Sequence, residues 1–219
     1  MHECKSKRSI MDLNRILEKQ KIYSQGKDKI DTVTLSSYEK DFELTFTHNS
    51  TAIEGNTLTL METKVVLEDG IAVGGKELRE IYEVVNHKKA YQYVKKCIAE
   101  GKALDEHIVK DIHAILTENI IVGGIYRNQE VRISGAGHIP PVGNDMFIQI
   151  KNFYDDLGRK KDALNPVEYA AWTHAEFVRI HPFVDGNGRI SRLLMIYQLM
   201  SAGFLPVSIA KENRLDYYN

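Results

Sequence analysis

Apolar residues recur at helical spacing along most of the 219-residue chain, and this pattern constrains the fold more than any other feature. Near the C-terminus, Ile190, Leu193, Leu194 and Tyr197 follow the i, i+3, i+4, i+7 spacing of a helix face that packs on a core. The same spacing predicts helices in the stretches 9–24, 35–48, about 77–99, about 105–116, about 144–158, 166–180 and 187–202. We therefore expect a mainly helical protein.

Capping residues mark two of the predicted helix ends. Thr59 and Glu62 have the spacing of a capping box, which opens a short helix that stops at Gly70. Asn165 is a good N-cap, and Pro166 behind it suits the first turn of a helix. These signals define helix starts that periodicity alone leaves uncertain by a few residues.

One stretch, GIYRNQEVRISGAGHIPPVG at residues 124–143, departs from helical spacing. Its short alternation, two glycine-rich turns and Pro-Pro pair are typical of a β-hairpin. The predicted fold class is therefore all-α with one small β-hairpin. No linker is long enough to divide the chain, so we expect one domain over 1–219, with N-terminal helices in 1–58 and a core in 59–219.

Composition excludes several classes of protein. The net charge of −1 gives no reason to expect a nucleic acid or an acidic membrane surface as partner. No apolar run approaches the roughly 20 residues that a membrane helix needs. The two cysteines form no CxxC pair and fit a reducing compartment. We expect a soluble, cytoplasmic protein that contacts neither nucleic acid nor membrane.

The segment IHPFVDGNGRISR, residues 180–192, contains most of the functional information. The predicted helix start places Gly186, Asn187 and Gly188 at a helix N-terminus, where unpaired backbone N–H groups attract anions. The two glycines let the backbone approach a ligand closely. This turn is therefore a candidate phosphate-binding site.

Four charged or titratable side chains flank the turn. Arg189 and Arg192 lie one helical turn apart and can reach the same phosphate group. Asp185 would be repelled by a phosphate unless a cation such as Mg²⁺ lay between them. His181 can accept a proton from an attacking hydroxyl near neutral pH. Together they indicate phosphoryl or nucleotidyl transfer, and the phosphorus attacked stays open.

These residues resemble the signature of the Fic family, HxFx[DE]GNGRxxR, and every specified position is filled. The resemblance covers roughly residues 35–218 and implies a Fic-type helical core that transfers AMP from ATP to a Tyr, Thr or Ser hydroxyl of a protein. It implies that His181 deprotonates the target hydroxyl and that Asp185 holds Mg²⁺ against the α- and β-phosphates. It further implies that the 186–188 turn binds phosphate oxygens and that Arg189 orients the leaving phosphates.

A second segment, STAIEGN at residues 50–56, resembles the inhibitory motif [ST]xxxE[GN] of the same family. Ser50 and Glu54 fill its defined positions. Since this motif precedes the signature, the chain resembles the subgroup with an N-terminal inhibitory helix. The resemblance implies that Glu54 pairs with Arg192, the arginine that would otherwise bind the γ-phosphate. In some members the glutamate instead positions water to remove AMP, and that role stays open for this chain.

The hairpin segment resembles the flap of the family, which positions the target. There, Val131, Arg132, Ile133 and Ser134 could offer an exposed edge on which a target segment adds as a strand. The resemblance also places a C-terminal tyrosine, here Tyr217 or Tyr218, near the adenine. The implied partners are ATP and a protein target, with self-modification and a homodimer as options that the family offers.

Three alternatives to AMP transfer stay open. The same site could remove AMP, with Glu54 orienting water, or it could transfer UMP, phosphate or phosphocholine, because the turn recognises phosphates rather than a base. The third is a nucleotide-sensing module without catalysis. The intact His181 argues against this last one, since a sensor has no need of a base.

Overall fold

The computed structural model describes residues 13–132 and 138–218, and all regular secondary structure in that part of the chain is helical. The described residues form these helices: α1 (Leu13–Gly26), α2 (Thr32–Ile53), α3 (Leu60–Lys64), α4 (Leu78–Ala99), α5 (Glu106–Leu116), α6 (Gly143–Ala163), α7 (Pro166–Ile180), α8 (Asn187–Ser201) and α9 (Arg214–Tyr218). The predicted all-α class is confirmed. None of the helices in the described ranges is long and apolar enough to cross a membrane.

The predicted caps form the helix starts. The side chain of Asn165 accepts hydrogen bonds from two backbone N–H groups in the first turn of α7, which begins at Pro166. Thr59 and Glu62 make the reciprocal bonds of a capping box at α3. A π-helical turn continues α3 and ends at Gly70, whose φ of 67° is the left-handed conformation that glycine adopts freely. The short polar side chains therefore determine these boundaries locally.

Helix α2 extends beyond the predicted 35–48. Several side chains buried in its last turns are polar, so an apolar pattern does not detect these turns. These buried polar residues are Thr47, His48, Ser50 and Thr51. Helix α6 likewise extends beyond the predicted 144–158. For the predicted helix 9–24, residues 9–12 lie outside the described residues. The extension of α2 matters for function, since it carries the STAIEGN segment to the end of a helix.

Helix α8 lies at the centre of the core. Its predicted apolar face, Ile190, Leu193, Leu194 and Tyr197, is at most 1% exposed. The helix packs against α7 most extensively, and also against α2, α4 and α5. As α7 and α8 are both embedded, the six-residue loop between them, 181–186, is fixed at both ends.

The predicted β-hairpin is not seen. The described parts of the segment, 124–132 and 138–142, contain no strand. Val131 and Arg132 lie in irregular backbone, while Ile133 and Ser134 lie outside the described residues. Instead of a strand ladder, the buried guanidinium of Arg127 satisfies backbone carbonyls on both sides of the segment, which accounts for the difference in the described parts.

Candidate active site

His181 occupies the junction between α7 and the loop. Its φ of 52° and ψ of 57° are left-handed, a conformation that is uncommon for residues other than glycine and is concentrated in functional sites. Its backbone N–H donates to the carbonyl of Phe177, 3.0 Å away, and so ends the helix. The chain thereby leaves the helical path at His181, whose ring is half-buried.

One ring hydrogen bond indicates the tautomer of His181, and burial indicates its charge. Nδ1 lies 3.2 Å from the carbonyl oxygen of Val178, which can only accept, so Nδ1 carries the hydrogen and Nε2 the lone pair. Burial lowers the pKa of His181 below its ordinary value and outweighs the carbonyl of Val178, which favours the charged ring. The imidazole is therefore neutral at pH 7, with Nε2 ready to accept a proton.

The glycine turn opens α8. Gly186 is the N-cap residue, with a φ of 82°, so glycine is required by conformation. At Gly188 an added Cβ would collide with the carboxylate of Glu54, which would have to shift. The side chain of Asn187 donates to the carbonyl of Phe183 and accepts from its N–H, so it holds the loop together. Any part of Asn187 in nucleotide binding would therefore fall to its backbone.

Arg192 is enclosed by the segment predicted to be inhibitory. Its guanidinium, 1% exposed, donates from Nε to the Ser50 hydroxyl and from Nη2 to the Ser50 carbonyl. Nη2 also donates to Oε1 of Glu54, 2.7 Å away, and Nη1 donates to the hydroxyl of Tyr217. Every nitrogen of Arg192 is thus engaged, and an anionic ligand would have to displace Glu54.

Unlike Arg192, Arg189 uses only part of its hydrogen-bonding capacity. It is also buried, and Nη2 donates to Oδ1 of Asp185 at 3.2 Å. Nη1 lies 3.7 Å from the carboxylate of Glu83, but among the described residues neither Nη1 nor Nε has a hydrogen-bond partner. Buried donors without partners are costly and rare, and in this position an anion would satisfy them.

Asp185 is surrounded by donors. Oδ1 accepts from the backbone N–H of Gly186 and from Arg189, and Oδ2 accepts from Arg79 on α4. Burial alone would raise the pKa of Asp185, but Arg189, the Gly186 N–H and Arg79 together hold it below its usual value. The carboxylate is therefore ionised over the physiological pH range.

The donor set at Asp185 fits Mg²⁺ that arrives with a nucleotide. Within the described residues no cluster of three or more His, Cys, Asp or Glu side chains could hold a metal by itself. Magnesium usually takes one or two carboxylates, with phosphate oxygens and waters completing its shell. A single ionised carboxylate beside the unused donors of Arg189 meets that requirement.

The C-terminal tyrosines lie at the Arg192 end of the site. The Tyr217 hydroxyl is 3.1 Å from Nε2 of His174, and its ring lies over the Arg192 guanidinium. Tyr218 donates weakly to the carbonyl of Ile53 at 3.4 Å. The stacking of either ring on adenine stays a prediction.

Sequence reasoning did not single out several residues that shape the site. Arg79 and Glu83 read as an ordinary surface pair one turn apart on α4, and the contact of Arg79 with Asp185 spans 106 positions. The ring of His113 stacks on Phe183 at 3.8 Å and accepts from a backbone N–H of the flap segment, and burial lowers its pKa to about 4. No local pattern signals such long-range contacts.

Arg127 fastens the flap segment, residues 124–143, to the loop 181–186. Its Nε donates to the His181 carbonyl at 2.7 Å, and Nη1 and Nη2 donate to the carbonyls of Gln129 and Pro141. We expect Arg127→Ala to lower the free energy of unfolding by about 2–4 kcal/mol, since several buried carbonyls lose their donor. Urea denaturation measures this. The exposed Arg132→Ala is the matched control, and equal midpoints for both variants would contradict the assignment.

Comparison with known proteins gives a consistent result. Residues 103–199 match the sequence model of the Fic/DOC family. Proteins named protein adenylyltransferase Fic from Drosophila willistoni and Drosophila mojavensis are 38% and 39% identical to this chain over 175 residues, or 78% of it. The alignments cover 35% and 34% of those proteins, so the chain spans about a third of the length of these curated relatives.

Solved structures share the fold. A Fic domain containing signaling protein from Bacteroides thetaiotaomicron superposes with a TM-score of 0.81 at 28% identity, over 90% of this chain and 78% of that one. Fic-1 from C. elegans gives a TM-score of 0.78 at 28% identity, over 94% of this chain and 63% of that one.

Proposed function

Because the chain belongs to the Fic/DOC family, we propose that it is a protein adenylyltransferase, which transfers AMP from ATP to a Tyr, Thr or Ser hydroxyl of a protein. Two features on either side of one short loop carry the proposal. His181 is neutral with its lone pair on Nε2, and the buried Arg189 has unused donors. A plain turn before a helix needs neither. The names of the curated relatives support the same activity.

In this reaction Nε2 of His181 takes the proton of the target hydroxyl as its oxygen attacks the α-phosphorus of ATP. The bond from that phosphorus to the oxygen bridging to the β-phosphate breaks, and pyrophosphate leaves with the electron pair. Backbone N–H groups of the 186–188 turn and the donors of Arg189 balance the negative charge that grows on the leaving group. Mg²⁺ held by Asp185 would neutralise the α- and β-phosphates.

The inhibitory role of Glu54 is part of the proposal, with α2 as the N-terminal inhibitory helix. ATP in a reactive pose needs Arg192 for its γ-phosphate, and this guanidinium is already bound by Glu54, Ser50 and Tyr217. A charge-assisted hydrogen bond of this kind is worth roughly 1.5–3 kcal/mol. The resting protein would therefore transfer AMP slowly until Glu54 moves away.

The flap segment would present the target. Arg127 ties both sides of this segment to the loop that holds His181, so Val131 and Arg132, with Ile133 and Ser134 beyond them, could pair with an added target strand and complete a hairpin. One candidate target is a second copy of the chain in a homodimer. We place this activity in the cytoplasm, consistent with the free, buried thiol of Cys97.

The test uses Mg²⁺-ATP labelled at either the α- or the γ-phosphorus, with intact-mass measurement of the protein. An adduct of AMP mass that carries only the α-label is expected. An adduct with the γ-label would indicate phosphate transfer instead. Tight ATP binding without any adduct, together with release of AMP from a modified protein, would favour the reverse reaction.

A further inference from the structure

Arg79 lies outside both functional motifs, yet it binds the carboxylate that is proposed to hold the metal ion. It lies in the first turn of α4, and its guanidinium donates to Oδ2 of Asp185. Its side chain is 50% exposed, in contrast to the buried Arg189 and Arg192, so it can leave this contact without disturbing the core. This combination of a firm contact and freedom to move distinguishes Arg79 from the other arginines of the site.

The two oxygens of Asp185 are not equivalent. Oδ1 is engaged inside the loop by the Gly186 N–H and by Arg189. For Oδ2 the contact is Arg79. A divalent cation would therefore take Oδ2, the oxygen outside the loop, and the guanidinium of Arg79 occupies the space that the cation needs. The two positive charges repel each other at this oxygen, so each weakens the binding of the other.

Glu83 holds Arg79 in place. Nε of Arg79 donates to Oε1 of Glu83 at 3.2 Å, across one turn of α4. The other carboxylate oxygen accepts from the side chain of Asn56, which belongs to the STAIEGN segment. The resting position of Arg79 is thus supported from the same segment that carries Glu54, and the arginine does not depend on Asp185 alone for its orientation.

The charges of the ion pairs around Asp185 and Arg192 balance in this arrangement. Three carboxylates, Glu54, Glu83 and Asp185, face three guanidinium groups, Arg79, Arg189 and Arg192. A cation that entered alone would add uncompensated positive charge beside these arginines. A cation that enters with phosphates brings its own negative charge, which can also receive the displaced guanidinium.

We propose that Arg79 is a built-in counter-ion of Asp185 that competes with the divalent cation, so that the cation enters the site together with the nucleotide and not before it. The inference rests on the proposed function insofar as Asp185 is the metal ligand. Arg79 would then determine the Mg²⁺ concentration at which ATP binds. It is a positioning residue, since it would act on the nucleotide through Asp185.

The test is the Mg²⁺ dependence of ATP binding, measured by calorimetry on the full chain carrying Glu54→Gly, which removes the competing carboxylate from Arg192 in every variant. We expect Arg79→Gln to lower the half-saturating Mg²⁺ concentration by about fivefold, the size that a half-exposed ion pair supports. The matched control is Arg159→Gln, which removes an arginine with a similar neighbouring ion pair, to Asp156 on α6. The control should leave the Mg²⁺ dependence unchanged.

Asp185→Asn supplies the second half of a double-mutant cycle. If Arg79 acts through Asp185, the effect of Arg79→Gln must vanish in the Asp185→Asn background. An unchanged Mg²⁺ dependence in Arg79→Gln would overturn the proposal. So would an equal loss of ATP affinity with and without Mg²⁺, which would make Arg79 a phosphate ligand. Because nucleotide binding is the readout, failure of AMP transfer would reject the proposed function without altering this result.

Discussion

Replacing Glu54 with glycine is expected to raise the rate of AMP transfer roughly 10- to 150-fold, the factor that corresponds to one charge-assisted hydrogen bond. In the resting protein Oε1 of Glu54 lies 2.7 Å from Nη2 of Arg192, and it also lies directly over Gly188. Removal of the side chain takes away the carboxylate partner of Arg192 and opens the approach to the turn at 186–188. The measurement is the initial rate of α-label incorporation at saturating Mg²⁺-ATP.

Two further variants separate the effect of the Glu54 charge on the transfer rate from the effect of a substitution at a helix end. Glu54 is the C-cap residue of α2, with φ −84° and ψ 0°, and Glu100 caps α4 with nearly the same angles. Glu100→Gly should therefore reproduce any backbone effect and leave transfer unchanged. Glu54→Gln keeps the size but not the charge, and should activate in part. Equal rates for wild type and Glu54→Gly would show that Glu54 does not restrain the enzyme.

Much of the helical framework could be predicted because its determinants are local. Side-chain caps such as Asn165 act on N–H groups two or three residues away, and the apolar face of α8 repeats within one helix. The main residues of the loop were also visible, since base, turn and arginines follow one another in the chain. The pairing of Glu54 with Arg192 was expected from family resemblance, and the contact is present in the structure.

The remainder of the site depends on contacts between distant segments. Arg127 donates hydrogen bonds to the carbonyls of residues 180–182 and 141, and these carbonyls come together only in the folded chain. The alternation of apolar residues and the glycine content of residues 124–143 therefore predicted a hairpin. In the described parts of this segment, hydrogen bonds from Arg127 take the place of strand pairing. Arg79 is a similar case, because its pairing with Glu83 is visible in sequence and its contact with Asp185 is not.

Loss of the base should have the largest effect of any single substitution. His181→Ala is expected to lower AMP transfer by about 10²- to 10⁴-fold, the usual contribution of general base catalysis, while ATP affinity stays within about threefold of that of the parent protein. Affinity should persist because, in the proposed mechanism, the phosphates would contact the turn at 186–188 and Arg189, and none of these contacts would depend on the imidazole. Label transfer and ATP binding are measured in the Glu54→Gly background, where the starting rate is high.

The left-handed backbone at His181 requires a second variant. Alanine in this conformation costs roughly 1–2 kcal/mol, so His181→Ala could lose activity through a displaced loop. Asparagine tolerates the same angles but cannot accept a proton at neutral pH, so His181→Asn removes the base and keeps the turn. Replacement of the exposed His107 by alanine controls for the general loss of an imidazole. Transfer by His181→Asn within tenfold of its parent would mean that another group takes the proton, because Nε2 of His181 would then be dispensable.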